Sequence, residues 1–241
     1  MIKKEEECIL NPYVQLLSYP RCGSNFLYFI LFSITGVKIQ KQHGATLNYW
    51  KKRKGEEIAP KDLPMIFILR NPKECIPRQT GDYFFSYKIK DALLNLKPRG
   101  NKVDLHRYDY MLLLDHYEKF EGDKIIVYYE DLINNTKEES KRILDYISKI
   151  ETPLGKITYN EEDLNDFFDN YDKNRSKSLE RYGEITSVSI TKGEDLLYHS
   201  KKISEEEKEK IRRFIIFQYR KIFKKYLNRY FDKKDPFYIK D

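Results

Sequence analysis

At 241 residues the chain suits one large domain, or one domain with a helical extension, and can bury a real core. Aromatic residues make up 15%, with Tyr 20 and Phe 14, which argues against disorder despite 34% charged residues and a mean hydropathy of −0.72. A net charge of +7 favours an anionic ligand, and acids interleaved with the bases argue against the basic arm of a nucleic-acid binder.

Cys8, Cys22 and Cys75 are odd in number and widely separated, which gives neither a disulfide framework nor a zinc pattern. They predict free thiols in a reducing compartment. Residues 1–10, MIKKEEECIL, lack the apolar core of a signal peptide, and the run from Phe26 to Ile34 is too short to span a membrane. A soluble cytoplasmic protein is expected.

Tyr13 to Ser18 is a short β-prone run, broken by Tyr19-Pro20-Arg21-Cys22-Gly23-Ser24-Asn25. From Phe26 to Thr35 the chain is apolar over a length that suits a buried helix. Strand, small-residue loop and helix form the layout that aims backbone N–H groups and a helix N-terminus at an anion. Ser24 or Asn25 is expected to cap the helix, and Arg21 adds a fixed charge with a forked donor set. The same layout alone is also an ordinary β-turn-α connection.

Val37 to Gly44 alternates like a strand and ends at a glycine. On a strand, Lys41 and His43 share one face. His43 has the pKa nearest neutrality for a general base, and Lys41 would stabilise negative charge beside it. Taken alone, a surface pair is the simpler explanation. Residues 51–62 form a charged, solvated connection.

Met65 to Leu69, MIFIL, is a continuous apolar run, the mark of a central parallel strand buried on both faces. Arg70 closes it, which puts a cation at the carboxyl edge where open α/β sheets hold ligands. Asn71 and Pro72 fit the cap and first turn of a helix that Pro77 delays or kinks. Arg78 follows on the same segment.

Asp104 to Phe120 carries helical spacing, and Ile125 to Tyr129 is another strand, closed by Glu130-Asp131-Leu132. Asn134 to Ile150 reads as an amphipathic helix with Ile143, Leu144 and Ile147 on one face. His106 and His116 lack metal-ligand spacing and are expected on helix surfaces. A more polar helix is expected from Asp163, and a loop over Ser187 to Gly193. Ser204 opens the last helix with a Ser-x-x-Glu box, and its core stripe is Ile211, Phe214, Ile215, Tyr219 and Ile222.

The Tyr-Pro-Arg-Cys-Gly-Ser-Asn loop, the strand ending in Leu-Arg-Asn-Pro-Lys-Glu and the strand ending in Tyr-Tyr-Glu-Asp-Leu follow one another in this order. Together they resemble the sulfotransferases that use 3′-phosphoadenosine 5′-phosphosulfate (PAPS). Lys41-Gln42-His43 stands between the first two, where that family keeps its catalytic histidine. The resemblance runs over residues 13–150 and is weak beyond.

It implies a single α/β domain over 1–241: a three-layer sandwich with a central, mainly parallel sheet, a P-loop-like phosphosulfate-binding loop and a helical C-terminal part. It implies that Arg21, Cys22, Gly23, Ser24 and Asn25 hold the 5′-phosphosulfate, with Phe26 near the adenine in place of the family's Trp. Arg70 would hold the 3′-phosphate, and Tyr129 would approach the base. Lys192 and Gly193, in Thr191-Lys192-Gly193, look like a degraded form of the family's Arg-Lys-Gly segment at the 3′-phosphate. Two positions depart from the pattern. Arg21 replaces the loop lysine of the cytosolic enzymes, as in the carbohydrate-directed branch, and Arg78 stands where the family has the serine that holds the 3′-phosphate.

The implied reaction is in-line transfer of a sulfuryl group from PAPS to a hydroxyl or amine, leaving adenosine 3′,5′-bisphosphate. The sequence does not name the acceptor: a small molecule or carbohydrate is expected, with a peptide left open, and no metal and no nucleic-acid partner are expected. His43 would act as the base, and Arg21 and Lys41 would stabilise charge on the transferring and leaving groups. Two alternatives stay open. A P-loop kinase or NTPase shares the layout, although the loop lacks a Gly-Lys-[Ser/Thr] ending and no Asp closes an apolar strand in a Walker-B manner. A catalytically lapsed basic binding module would keep the fold without turnover.

Overall fold

The computed structural model describes residues 14–19, 21–37, 39–42, 63–72, 74–75, 110–152, 155–171, 205–235 and 237–240, with the backbone alone for Gln42 and for most of 205–218. Its centre is an all-parallel sheet of β1 (Gln15–Ser18), β2 (Gln40–Gln42), β3 (Met65–Leu69) and β4 (Lys124–Tyr128). The spatial order is β2-β1-β3-β4. Leu17 pairs with Gln42 on one side and Phe67 on the other, and Ile68 pairs with Val127.

Both inner strands are buried along their whole length. That two-sided burial is why MIFIL is apolar without alternation. Gln15 and Ser18 are the polar exceptions, at the two ends of β1, and Gln15 Nε2 donates to the Leu63 carbonyl at 2.8 Å. The chain leaves β1 for β2 on one flank, whereas β3 and β4 lie on the other. The order therefore reverses between β1 and β3, which opens a crevice beyond their carboxyl ends.

The helices are α1 (Ser24–Thr35), α2 (Tyr110–Lys119), α3 (Tyr129–Asn134), α4 (Thr136–Ile147), α5 (Glu161–Asp169) and α6 (Glu205–Leu227), followed by a 3-10 turn at Asn228–Tyr230. α1 packs against α4 and α5, and α2 against α6. The Phe29 and Phe167 rings meet at 5.7 Å in the first group. In the second, Tyr117 of α2 stacks on Phe67 of β3 at 4.9 Å. These two helical groups around one sheet are compatible with a three-layer sandwich. Among the described residues, no helix is long and apolar enough to cross a membrane.

Several local expectations need correction. Neither Ser24 nor Asn25 caps α1: Gly23 is the N-cap, in the left-handed region at φ 86, ψ 17, and the helix already starts at Ser24. Glycine pays no Cβ penalty there, so it turns the chain earlier than the apolar pattern indicates. Tyr129 does not end β4 but opens α3, whose first turn holds Glu130 and Asp131, the charges a helix N-terminus favours. Asn135, at φ −133 and ψ 55, separates α3 from α4, so Asn134 closes α3 and the helix expected up to Ile150 runs over Thr136–Ile147. α5 starts before Asp163 because the Asn160 side chain caps it, accepting the Asp163 N–H at 2.5 Å.

A two-residue antiparallel pair, β5 (Glu151–Thr152) with β6 (Gly155–Lys156), is too short to leave an alternation signal. His116 is partly buried rather than on the surface, and burial lowers its pKa. α6 is interrupted at Tyr219, φ −127 and ψ 18. Phe223, Tyr226 and Leu227 are buried from its last turns, with Tyr219 and Ile222 packed beside them. His106 and Ser204, and the side chains of Ile211, Phe214 and Ile215, lie outside the described residues.

Candidate functional site

The crevice is built from two strand ends. Beyond Ser18 the chain turns from β1 into α1 through Arg21 at φ 66 and Gly23 at φ 86, both left-handed. For Arg21, which carries a Cβ, that conformation costs on the order of 1–2 kcal/mol. Its carbonyl is held by a long-range contact, accepting from Arg70 Nη1 at 2.9 Å. α1 itself is 12 residues long, with no side-chain cap bond and no acidic residue in its first turn. Its positive end therefore faces the crevice without a carboxylate of its own.

Gly23 is needed for space as well as for φ. A Cβ at this position would lie 2.5 Å from two ring carbons of Tyr129. The same ring stacks with the Arg70 guanidinium, 4.1 Å from its centroid. One aromatic side chain thus touches both the loop after β1 and the cation after β3.

Arg70 is only 9% exposed. Its Nη1 is used by Arg21, while its Nε is buried with no hydrogen-bond partner. Among the described residues, no carboxylate forms an ion pair with it. A buried cation with an unused donor and no counter-ion is costly unless an anion completes it.

Two groups beside Arg70, Tyr110 and Cys75, stay neutral. Tyr110 donates its hydroxyl to the Arg70 carbonyl at 2.6 Å, and burial pushes its phenol well above the ordinary range. Cys22 and Cys75 are buried free thiols. Burial, followed by a hydrogen bond with Cys22, raises the Cys75 thiol well above its usual value. Neither Tyr110 nor Cys75 supplies a negative charge at neutral pH.

Lys41 reaches the first turn of α1 from β2, where its Nζ donates to Asn25 Oδ1. Ser24 is buried as the first helical residue. Phe26 is half-buried against the hydrophobic core.

A further layer supports the strand ends. The Asn71 N–H donates to Glu130 Oε1 at 3.0 Å, and the Tyr230 hydroxyl donates to Glu130 Oε2 at 2.8 Å. Arg229 forms a bidentate ion pair with Asp131, at 3.0 and 2.6 Å, and lies 4.0 Å from the Tyr128 ring centroid.

Arg21, Cys22, Gly23, Ser24, Asn25, Lys41, Arg70 and Tyr129 all lie at this end of the sheet or on the elements that line it. His43, Arg78, Lys192 and Gly193 lie outside the described residues. Tyr110 and Tyr230 were not legible as site residues, because they are 40 and 100 positions from the partners they bond. Glu130 was visible within its motif, but neither of its two bonds was. The assembled groups present two separate positive poles, the N-terminus of α1 and the Arg70 guanidinium, each of a kind that can receive an anion. No family model matches the chain, and no curated protein matches it closely enough to count as a relative.

Proposed function

We propose that the chain is a PAPS-dependent sulfotransferase acting on a hydroxyl or amine of a small-molecule or carbohydrate acceptor. The observation that carries this reading is Arg70: nine-tenths buried, with an unused Nε donor and no acidic partner among the described residues. It stands across the sheet's order reversal from the N-terminus of α1. Two positive poles on neighbouring strand ends suit a nucleotide with anionic groups at both its 3′ and 5′ positions. A single polyphosphate chain would leave one pole unused.

PAPS bound there would supply an activated sulfuryl group. In this reading Arg21, Cys22, Gly23, Ser24 and Asn25 bind the 5′ end, and the first-turn N–H groups stabilise charge on the leaving phosphate. Arg70 binds the 3′-phosphate, with Arg78, Lys192 and Gly193 completing the grip. Tyr129 and Phe26 approach the base. Lys41, anchored at Asn25, neutralises charge near the bridging oxygen. His43 takes the acceptor's proton as the new S–O bond forms and the bond to the phosphate oxygen breaks. Positioning and charge stabilisation carry most of the rate, as in phosphoryl transfer.

Thermal-shift and calorimetric titrations with adenosine 3′,5′-bisphosphate and with MgATP test the proposal. Stabilisation by the bisphosphate and PAPS-dependent turnover on an acceptor panel are expected. Preference for MgATP would overturn the reading in favour of a P-loop kinase. Bisphosphate binding with no turnover on any acceptor would leave only a binding module.

A further inference from the structure

A carboxylate stands beside the Arg70 segment and is not paired with it. Glu130 directly follows Tyr129, whose ring carries the Arg70 guanidinium. Its Oε1 accepts the N–H of Asn71, the residue after Arg70, at 3.0 Å. A glutamate so placed is the natural counter-ion for a buried arginine. Its other oxygen instead accepts the Tyr230 hydroxyl at 2.8 Å.

Tyr230 comes from the far end of the chain, and its position is well determined. The preceding Arg229 is clamped to Asp131 by two bonds, at 3.0 and 2.6 Å. Asn228 ties the same turn to Ile239, donating at 2.8 Å and accepting at 3.1 Å. The Tyr230 ring packs edge-on against Tyr128 at 6.3 Å. Burial and the adjacent Glu130 charge keep its phenol protonated, so it remains a donor at every physiological pH.

We infer that Tyr230 is a positioning residue for the anion site: by holding Glu130 on the C-terminal side it keeps that carboxylate off Arg70 and leaves the guanidinium to an anionic ligand. The inference rests on the reading of Arg70 as an anion-binding group. A neutral hydroxyl hydrogen-bonded to a carboxylate satisfies the acid without spending a cation on it. Without that hydroxyl, Glu130 has one unsatisfied oxygen, and the nearby unused Arg70 donor becomes its best partner.

The test uses the full chain with Tyr230→Phe, which removes one hydroxyl and keeps the ring. In the ligand-free crystal structure of this variant, Glu130 is expected to turn and form an ion pair with Arg70. Affinity for adenosine 3′,5′-bisphosphate is expected to fall by about tenfold or more, the worth of a hydrogen bond to a charged group. Tyr230→Phe combined with Glu130→Gln should restore it, because the amide no longer competes for the cation. The inference is overturned if Glu130 stays off Arg70 in the ligand-free variant. It is equally overturned if the affinity loss persists in the double variant, which would mark Tyr230 as a structural support only. Should the unmodified protein bind no bisphosphate, the sulfotransferase reading fails, and the ligand-free geometry of Tyr230→Phe still decides the role of Tyr230.

Discussion

The Tyr129 ring occupies the volume that a side chain on Gly23 would need, with two ring carbons 2.5 Å from the ideal Cβ position. The ring cannot simply swing away, because its face is packed on Arg70 at 4.1 Å. Residue 23 also sits at φ 86, where any Cβ is strained. Gly23→Ala is therefore expected to cost about 1–3 kcal/mol in urea unfolding. Bisphosphate binding should be lost along with it, because the displaced ring disturbs Arg70. Unchanged unfolding would show that the loop relaxes freely.

Arg70→Gln separates stability from binding. It removes the charged-group bond to the Arg21 carbonyl, worth about 1.5–3 kcal/mol, and also removes a buried charge with no acidic partner among the described residues, so the two effects oppose each other. Ligand-free stability should change by no more than about 1 kcal/mol, while the bisphosphate-induced rise in melting temperature disappears. Arg70→Lys should not rescue it, because one ammonium group cannot replace a fork that spans the Arg21 carbonyl and a ligand. A full ligand-induced shift in Arg70→Gln would remove this residue from the site.

His43→Ala is expected to lower PAPS-dependent turnover by about a hundredfold or more while leaving bisphosphate affinity unchanged. Stopped-time assays of turnover beside calorimetry of the product complex make the comparison. A variant with normal turnover would exclude His43 as the base.

The Cys75 thiol is buried and donates to the Arg70 carbonyl at 3.9 Å, and burial raises its pKa well above the ordinary value. Since the thiolate is the reactive species, Cys75 should resist alkylation at pH 8 in the folded protein and react once urea unfolds it. Peptide mass spectrometry after timed labelling reads this directly. Fast labelling of Cys75 in the native state would show that the segment after β3 opens.

Tyr117 predicts the alkaline limit of stability. Burial, with the neighbouring Tyr226 adding and Lys225 opposing, pushes its phenol from 10.0 up to about 12. The folded state then holds this proton more tightly than the unfolded state, so the contribution is complete below about pH 10 and is lost as pH rises toward 12. Urea midpoints should fall across that window, and less steeply in Tyr117→Phe. Equal slopes would mean that the hydroxyl is not shielded.

The strand character of MIFIL was legible because burial on both faces leaves an unbroken apolar run within five residues. The turn into α1 was legible from Gly23 and its small neighbours, although its cap was assigned to the wrong residue. Ser24 and Asn25 are good capping types, but the steric freedom of Gly23 set the boundary one residue earlier. On local pattern alone Tyr129 continues the strand, because aromatic residues favour strands in isolation. The acidic pair after it starts a helix instead, once the sheet ends at Tyr128.

By itself the sequence determined the strand-loop-helix unit, the cation after β3 and the order in which the three motif segments occur, since those are properties of consecutive residues. Tertiary structure alone decided that β1 and β3 are neighbours with the sheet order reversing between them. It also decided that Tyr129 closes on Gly23 and Arg70, and that Tyr230, 100 positions from Glu130, holds that carboxylate. Local pattern records which face of an element is buried. Which charge meets which partner is set when distant elements pack, and at this site that packing leaves Arg70 buried with no acidic partner among the described residues.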